Sequence, residues 1–126
     1  MSYVRLNEKV TTQDGWTVKE FVDGTVEISK RFEKSINASD WRTWGTSNTY
    51  YANVTNSVAY PFTFADYPSV RSEICRTTGG DLLGTMHENV GSSLSSSPKV
   101  SVTRPAQGGA MTVVVELFAT GKRASA

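Results

Sequence analysis

The sequence predicts an all-β fold, an antiparallel β-sandwich or barrel, on three observations. Apolar residues alternate in short runs, signals for turns (Gly, Pro, Asn, Asp, Ser) separate those runs, and no stretch longer than a turn or two carries a helical period. At 126 residues the chain is one domain, large enough for a real core, and it contains no internal repeat.

Taken in order, residues Met1 to Gln13 alternate weakly and fit a strand, an arm or the stub of a longer shaft. The stretch 16-WTVKEFVDGTVEISKRFE-33 predicts a hairpin: an aromatic-led strand, an Asp23-Gly24 turn, and a second strand with Val26 and Ile28 on one side and Thr25, Glu27 and Ser29 on the other. Asp-Gly carries this signal because a tight primed turn needs φ > 0, which Gly supplies without steric cost. The segment 35-SINASDWRTWGTSNTYYANVTNS-57 reads as loop, with a short strand around Thr49 to Val54 and room for one helical turn after Ser39 that Gly45 would stop. Pro61 belongs near a strand start, an edge or a bulge, and Pro68 just ahead of a strand from Ser69 to Arg76, since neither ring can donate a ladder hydrogen bond. Within that strand Val70, Glu73 and Cys75 do not alternate cleanly; Cys75 reads as a small buried strand residue. Gly79-Gly80 turns the chain into a strand within 81-DLLGTMHENV-90, and 91-GSSLSSSP-98 is a surface loop.

The C-terminal pair is the best defined. Lys99 to Arg104 puts Val100 and Val102 on one face. Met111 to Ala119 then aligns Met111, Val113, Val115, Leu117 and Ala119 against Thr112, Val114, Glu116 and Phe118. The second face is half apolar. In a lone two-layer sandwich it would expose Val114 and Phe118, which makes them candidates for a contact between subunits.

Composition excludes several function classes. Thirteen basic residues against twelve acidic ones leave a formal charge of +1, without the electrostatic footprint that binding nucleic acid requires. The longest apolar run, Val113 to Val115, is far too short to span a bilayer, and the first residues lack the apolar stretch of a secretory signal, so a soluble chain is expected. One cysteine permits no internal disulfide and no multi-cysteine zinc site. The sequons Asn37-Ala38-Ser39 and Asn53-Val54-Thr55 are read as chance.

Catalytic chemistry is hard to assemble from what remains. The single histidine, His87, is followed by Glu88, and neighbours on a strand point to opposite faces, so Glu88 is badly placed to orient it. His87, Glu88 and Asp81 show no spacing used by zinc or calcium sites, and 79-GGDLLGT-85 lacks the lysine of a phosphate loop. No catalytic residue, metal or cofactor is therefore expected. The middle segment stands out instead, with Trp41, Trp44, Tyr50 and Tyr51 set among Ser, Thr and Asn. Flat amphipathic rings beside small polar groups suit a contact surface for a sugar, with Asp40 and Asn48 as hydroxyl partners. Either tryptophan is equally at home plugging the end of a sandwich core.

The order of these features resembles the C-terminal domains of tail proteins from phages and prophages of Gram-positive bacteria. The resemblance rests on 16-WTVKEF-21, the Asp-Gly turn, 25-TVEISKRF-32, 44-WGTSNTYY-51, 60-YPFTFADYPSV-70 and the closing strand 115-VELFATGK-122, and it spans about Gly15 to Lys122. Phe21 stands where a tryptophan is common in that group. The resemblance implies a jelly-roll-like β-sandwich knob over residues 15–123, after an N-terminal arm or shaft stub at 1–14 and before a short tail at 124–126. It also implies a homotrimer in the virion, assembled in the bacterial cytoplasm, that contacts other tail or baseplate proteins and a host cell-surface saccharide without catalysis. Two rivals are a purely structural tail or trimerisation module and a polysaccharide-degrading tailspike domain.

Overall fold

Alternation with period two sorts side chains onto two faces, and the fold follows from stacking the apolar faces of two sheets. A computed structural model of the protein describes residues 7–43, 49–88, 93–105 and 108–124. Its strands are β1 (Asn7–Gln13), β2 (Trp16–Phe21), β3 (Thr25–Ile36), β4 (Arg42–Thr43), β5 (Tyr50–Thr55), β6 (Ser69–Thr78), β7 (Gly84–Glu88), β8 (Lys99–Arg104) and β9 (Met111–Lys122), with a 3-10 turn at Ala38–Asp40. One sheet has the order β1-β2-β3-β9-β6 and the other β4-β5-β8-β7, all neighbours antiparallel. The chain winds as a rolled ribbon, because β3 pairs with β9 in the first sheet while β5 pairs with β8 in the second. The fold is thus the expected all-β sandwich.

β9 is an interior strand of the larger sheet, between β3 and β6, and supplies much of the core. Met111, Val113, Val115, Leu117 and Ala119 are all buried, as their alternation predicts. Each Val or Leu so buried contributes about 1.5–3 kcal/mol relative to exposure. From the facing sheet Ala52, Val54, Val100 and Val102 close the layer. An aromatic cluster seals the side over β2. Trp16 is fully buried and its indole N–H donates to the Ala59 carbonyl at 3.0 Å, while Tyr60 packs edge-on against it and Phe64 edge-on against Tyr60. Burial pushes the Tyr60 phenol up to about 12. The segment carrying Tyr60 and Phe64 is held across the sandwich end by backbone bonds from Tyr60 to Ser95, Phe64 to Leu94 and Ala65 to Lys122.

Four local expectations need correction or narrowing. First, the Asp23-Gly24 loop is not a two-residue primed turn. Gly24 N–H donates to the Phe21 carbonyl at 3.0 Å, and Gly24 alone takes the left-handed conformation (φ 85°), which makes a three-residue loop closed by a glycine. The true primed turn is Asp14-Gly15, with φ of 52° and 84°, joining Gln13 to Trp16. Second, that turn folds β1 onto β2 in register from Lys9 to Gln13. Of the strand, arm or shaft stub that the sequence left open for this stretch, the described residues Asn7–Gln13 form the strand. Third, a register shift between Ile74 and Arg76 explains the broken alternation of β6. Val70, Ser72 and Ile74 face inward until an extra residue, Cys75, resets the pattern. Cys75 is exposed there rather than buried. Fourth, in place of a helical turn after Ser39 there is a three-residue 3-10 turn, Ala38–Asp40, with Ser39 in its middle.

The outer face of β9 also differs from expectation. Phe118 lies under the Arg71 guanidinium, 3.8 Å from the ring centroid, and Val114 sits between Glu33 and Arg76, whose ion pair closes at 3.3 Å. Arg31 and Glu116 add a pair at 3.2 Å, so neighbouring strands of the same chain set charged side chains beside both apolar residues, which are half-buried.

Candidate functional site

Between β3 and β5 the chain must turn from one sheet to the other, and the polar residues at the start of that turn form a small corner. Asp40 Oδ2 accepts the Asn37 backbone N–H at 2.9 Å, and the Asp40 N–H donates to the Asn37 carbonyl at 3.0 Å, closing the 3-10 turn. The next residue, Trp41, points inward. Arg42 is paired with Tyr51 and Thr43 with Tyr50 in the two-residue ladder of β4 on β5. Directly opposed residues on antiparallel strands share a face, so Arg42 and Tyr51 lie side by side on the outside while Ala52 faces the core. β4 begins at Arg42, opposite Tyr51, so the rest of β5, from Ala52 to Thr55, has no β4 residue paired along that edge.

A depression of about 370 Å³ lies at this corner. Its lining includes Lys34 from β3, Asp40 from the 3-10 turn, Arg42 from β4, Tyr51 and Asn53 from β5 and Lys99 from β8. It is open and mainly polar. It offers a phenol ring, an amide, a carboxylate and three cations, a set suited to hydroxyl-rich or charged ligands rather than to an apolar one.

Of the six residues expected at a sugar site, Asp40 and Tyr51 line this depression. Tyr50 is half-buried and packs against the core. Trp41 must be corrected. It is 5% exposed, donates its indole N–H to the Gly109 carbonyl at 3.2 Å and carries the Arg104 guanidinium 5.1 Å from its ring centroid, so its faces are not available to a ligand. Trp41 plugs the end of the core. Trp44 and Asn48 lie outside the described residues. The sequence reading missed Lys34, Arg42, Asn53 and Lys99.

His87 has a hydroxyl neighbour that the sequence did not reveal. β6 and β7 are the facing edge strands of the two sheets, and Ser72 lies 2.6 Å from His87 Nε2 and 2.8 Å from Thr85 Oγ1. Which of Ser72 and His87 donates in the shorter contact depends on the imidazole tautomer, and the second Ser72 contact, to Thr85, ties the same hydroxyl into the network. Glu88, on the other face of β7, lies 3.8 Å from Lys99 and cannot orient the imidazole. The trio joins the edges of the two sheets. Among the described residues no group of three or more His, Cys, Asp or Glu could hold a metal ion.

Burial lowers the His87 pKa from its ordinary 6.5. The unfolded chain then takes up the proton before the folded one, so stability is full above about pH 6.5 and declines as pH falls through the lowered value. A His87→Gln variant is expected to lose this decline. Urea unfolding at several pH values between about 5 and 7.5, above most carboxylate titration, checks it. Parallel curves for the two proteins would refute the assignment.

Compared with known proteins, the chain matches no family model, no curated protein and no solved structure.

Proposed function

We propose that this domain is a non-catalytic attachment module of a phage or prophage tail that grips host cell-surface carbohydrate at the open corner between β3, β4 and β5. The observation that carries the proposal is the side-by-side placement of Tyr51 and Arg42 in an open polar depression that Asp40 also lines. A ring gives a sugar a flat apolar face to lie on, and the neighbouring groups exchange hydrogen bonds with its hydroxyls. The site is shallow, which suits a knob that meets a repetitive polymer. Three copies in a trimer would raise avidity by about 10² or more without tight single contacts. The trimer is part of the proposal as the sequence resemblance implies it; the ion-paired outer face of β9 adds no support.

Retention of the fluorescently labelled domain on a panel of intact Gram-positive cells tests the proposal. Retention on at least one strain, competed by that strain's own envelope polysaccharide, is expected. Tyr51→Ala should weaken it by about fivefold, in line with the loss of one ring contact, with little change in melting. A folded domain that no strain retains would instead be a joining or trimerising part of the tail, and release of reducing ends from the polysaccharide would mark a degrading enzyme.

A further inference from the structure

We infer that the ligand at this corner is an anionic saccharide, one bearing carboxylate or phosphate groups, with Arg42 as its principal contact. The inference rests on the attachment function proposed above and specifies its ligand. It starts from how the other arginines among the described residues are used. Arg31 lies 3.2 Å from Glu116, Arg71 2.8 Å from Glu73, Arg76 3.3 Å from Glu33 and Arg123 3.0 Å from Glu20. Arg104 is spent on Trp41. Arg42 is exposed and has no carboxylate within 4.0 Å among the described residues, and the same holds for Lys34. These two unpaired cations line one depression. Lys99, the third cation there, has only a loose neighbour in Glu88 at 3.8 Å.

Among the described residues the single carboxylate in the lining is Asp40. One of its oxygens is committed to the Asn37 N–H, where it holds the 3-10 turn that precedes Arg42. Three cations face one engaged carboxylate, so the corner is electropositive in a chain whose overall formal charge is only +1. Such focusing attracts anions locally without giving the protein a general affinity for polyanions. A guanidinium donates two parallel hydrogen bonds to carboxylate or phosphate oxygens, and the two lysines act as flanking point charges. Tyr51, opposite Arg42 in the ladder, gives the sugar ring its flat contact, which distinguishes a charged saccharide from a bare anion.

The test uses the intact protein and three probes: an oligogalacturonate for carboxylate, a phosphomannan oligosaccharide for phosphate and a dextran oligosaccharide as the neutral control. Binding is measured by calorimetry at low and at high salt. At least one anionic probe should bind roughly tenfold or more tightly than dextran, with an affinity that falls as salt rises. Which of the two binds identifies the charged group. Arg42→Gln should lower that affinity roughly tenfold, and Lys34→Gln by a smaller factor in the same direction. Lys9→Gln, on the exposed edge strand β1, changes net charge equally and should leave it unchanged. The inference is overturned if neither anionic probe binds, if dextran binds as well, if Lys34→Gln and Arg42→Gln match wild type, or if duplex DNA competes as strongly as the saccharide. Retention on cells that survives Arg42→Gln would leave the attachment proposal standing and remove only the anionic ligand. Loss of all retention by wild type would remove both.

Discussion

Replacing Trp16 by alanine is expected to cost about 3–5 kcal/mol, the range found when a large aromatic is removed from a packed core. That is a large share of the 5–15 kcal/mol typical of a whole domain. The indole is fully buried where β2 meets the strap carrying Tyr60 and Phe64, and it is the edge-on partner of Tyr60 at 5.5 Å between ring centroids. Its N–H also satisfies the Ala59 carbonyl, so truncation leaves a cavity and an unpaired acceptor together. Trp16→Phe keeps most of the apolar area and loses the hydrogen bond, and it should fall between alanine and wild type. Urea unfolding of the three proteins checks the series. A Trp16→Ala protein as stable as wild type would mean that the aromatic cluster does not hold the strap.

Trp41 is expected to give the second largest loss, and its pattern separates structure from binding. Trp41→Ala should destabilise by about 3 kcal/mol or more, because it empties the end of the core and unpairs the Gly109 carbonyl. It also strips Arg104 of the ring that its guanidinium faces, and Arg104 Nε is already buried without a partner among the described residues. Trp41→Phe should cost less, on the order of 1–2 kcal/mol, since a ring remains for the cation. Measured on folded protein, Trp41→Phe should bind cells as wild type does. A stable Trp41→Phe protein that no longer binds would return Trp41 to the contact surface.

How far the fold is legible in the sequence depends on how local its cause is. β9 was readable because five buried residues on one strand repeat with period two. The first hairpin was readable from an alternating strand either side of Asp23-Gly24. β1 was not, although Asp14-Gly15 carries the same dipeptide, because Thr11, Thr12 and Gln13 offer no apolar alternation to set beside it. Its pairing is supplied by β2. Likewise the alternation that made Val114 and Phe118 look bare was read correctly, but their charged neighbours, Arg71, Glu33 and Arg76, come from other strands.

The candidate site shows the same division. Tyr51 and Asp40 could be picked out by residue type within one aromatic, polar segment. Whether Trp41 stacked on a ligand or plugged the core was decided by Gly109, 68 residues away. Arg42 was invisible for a related reason. Arginines are scattered along every sheet, and only the folded arrangement reveals which of them already hold a carboxylate.

The central claim is that ligand engages the β3–β4–β5 corner. Chemical-shift mapping of the isotopically labelled domain, titrated with envelope polysaccharide from a strain that retains it, tests this most directly. Shifts concentrated at Asp40, Arg42, Tyr51 and Asn53 and growing to saturation are the expected result. Shifts centred on Arg31, Glu73 and Phe118 across the outer face of β9, with the corner silent, would contradict it.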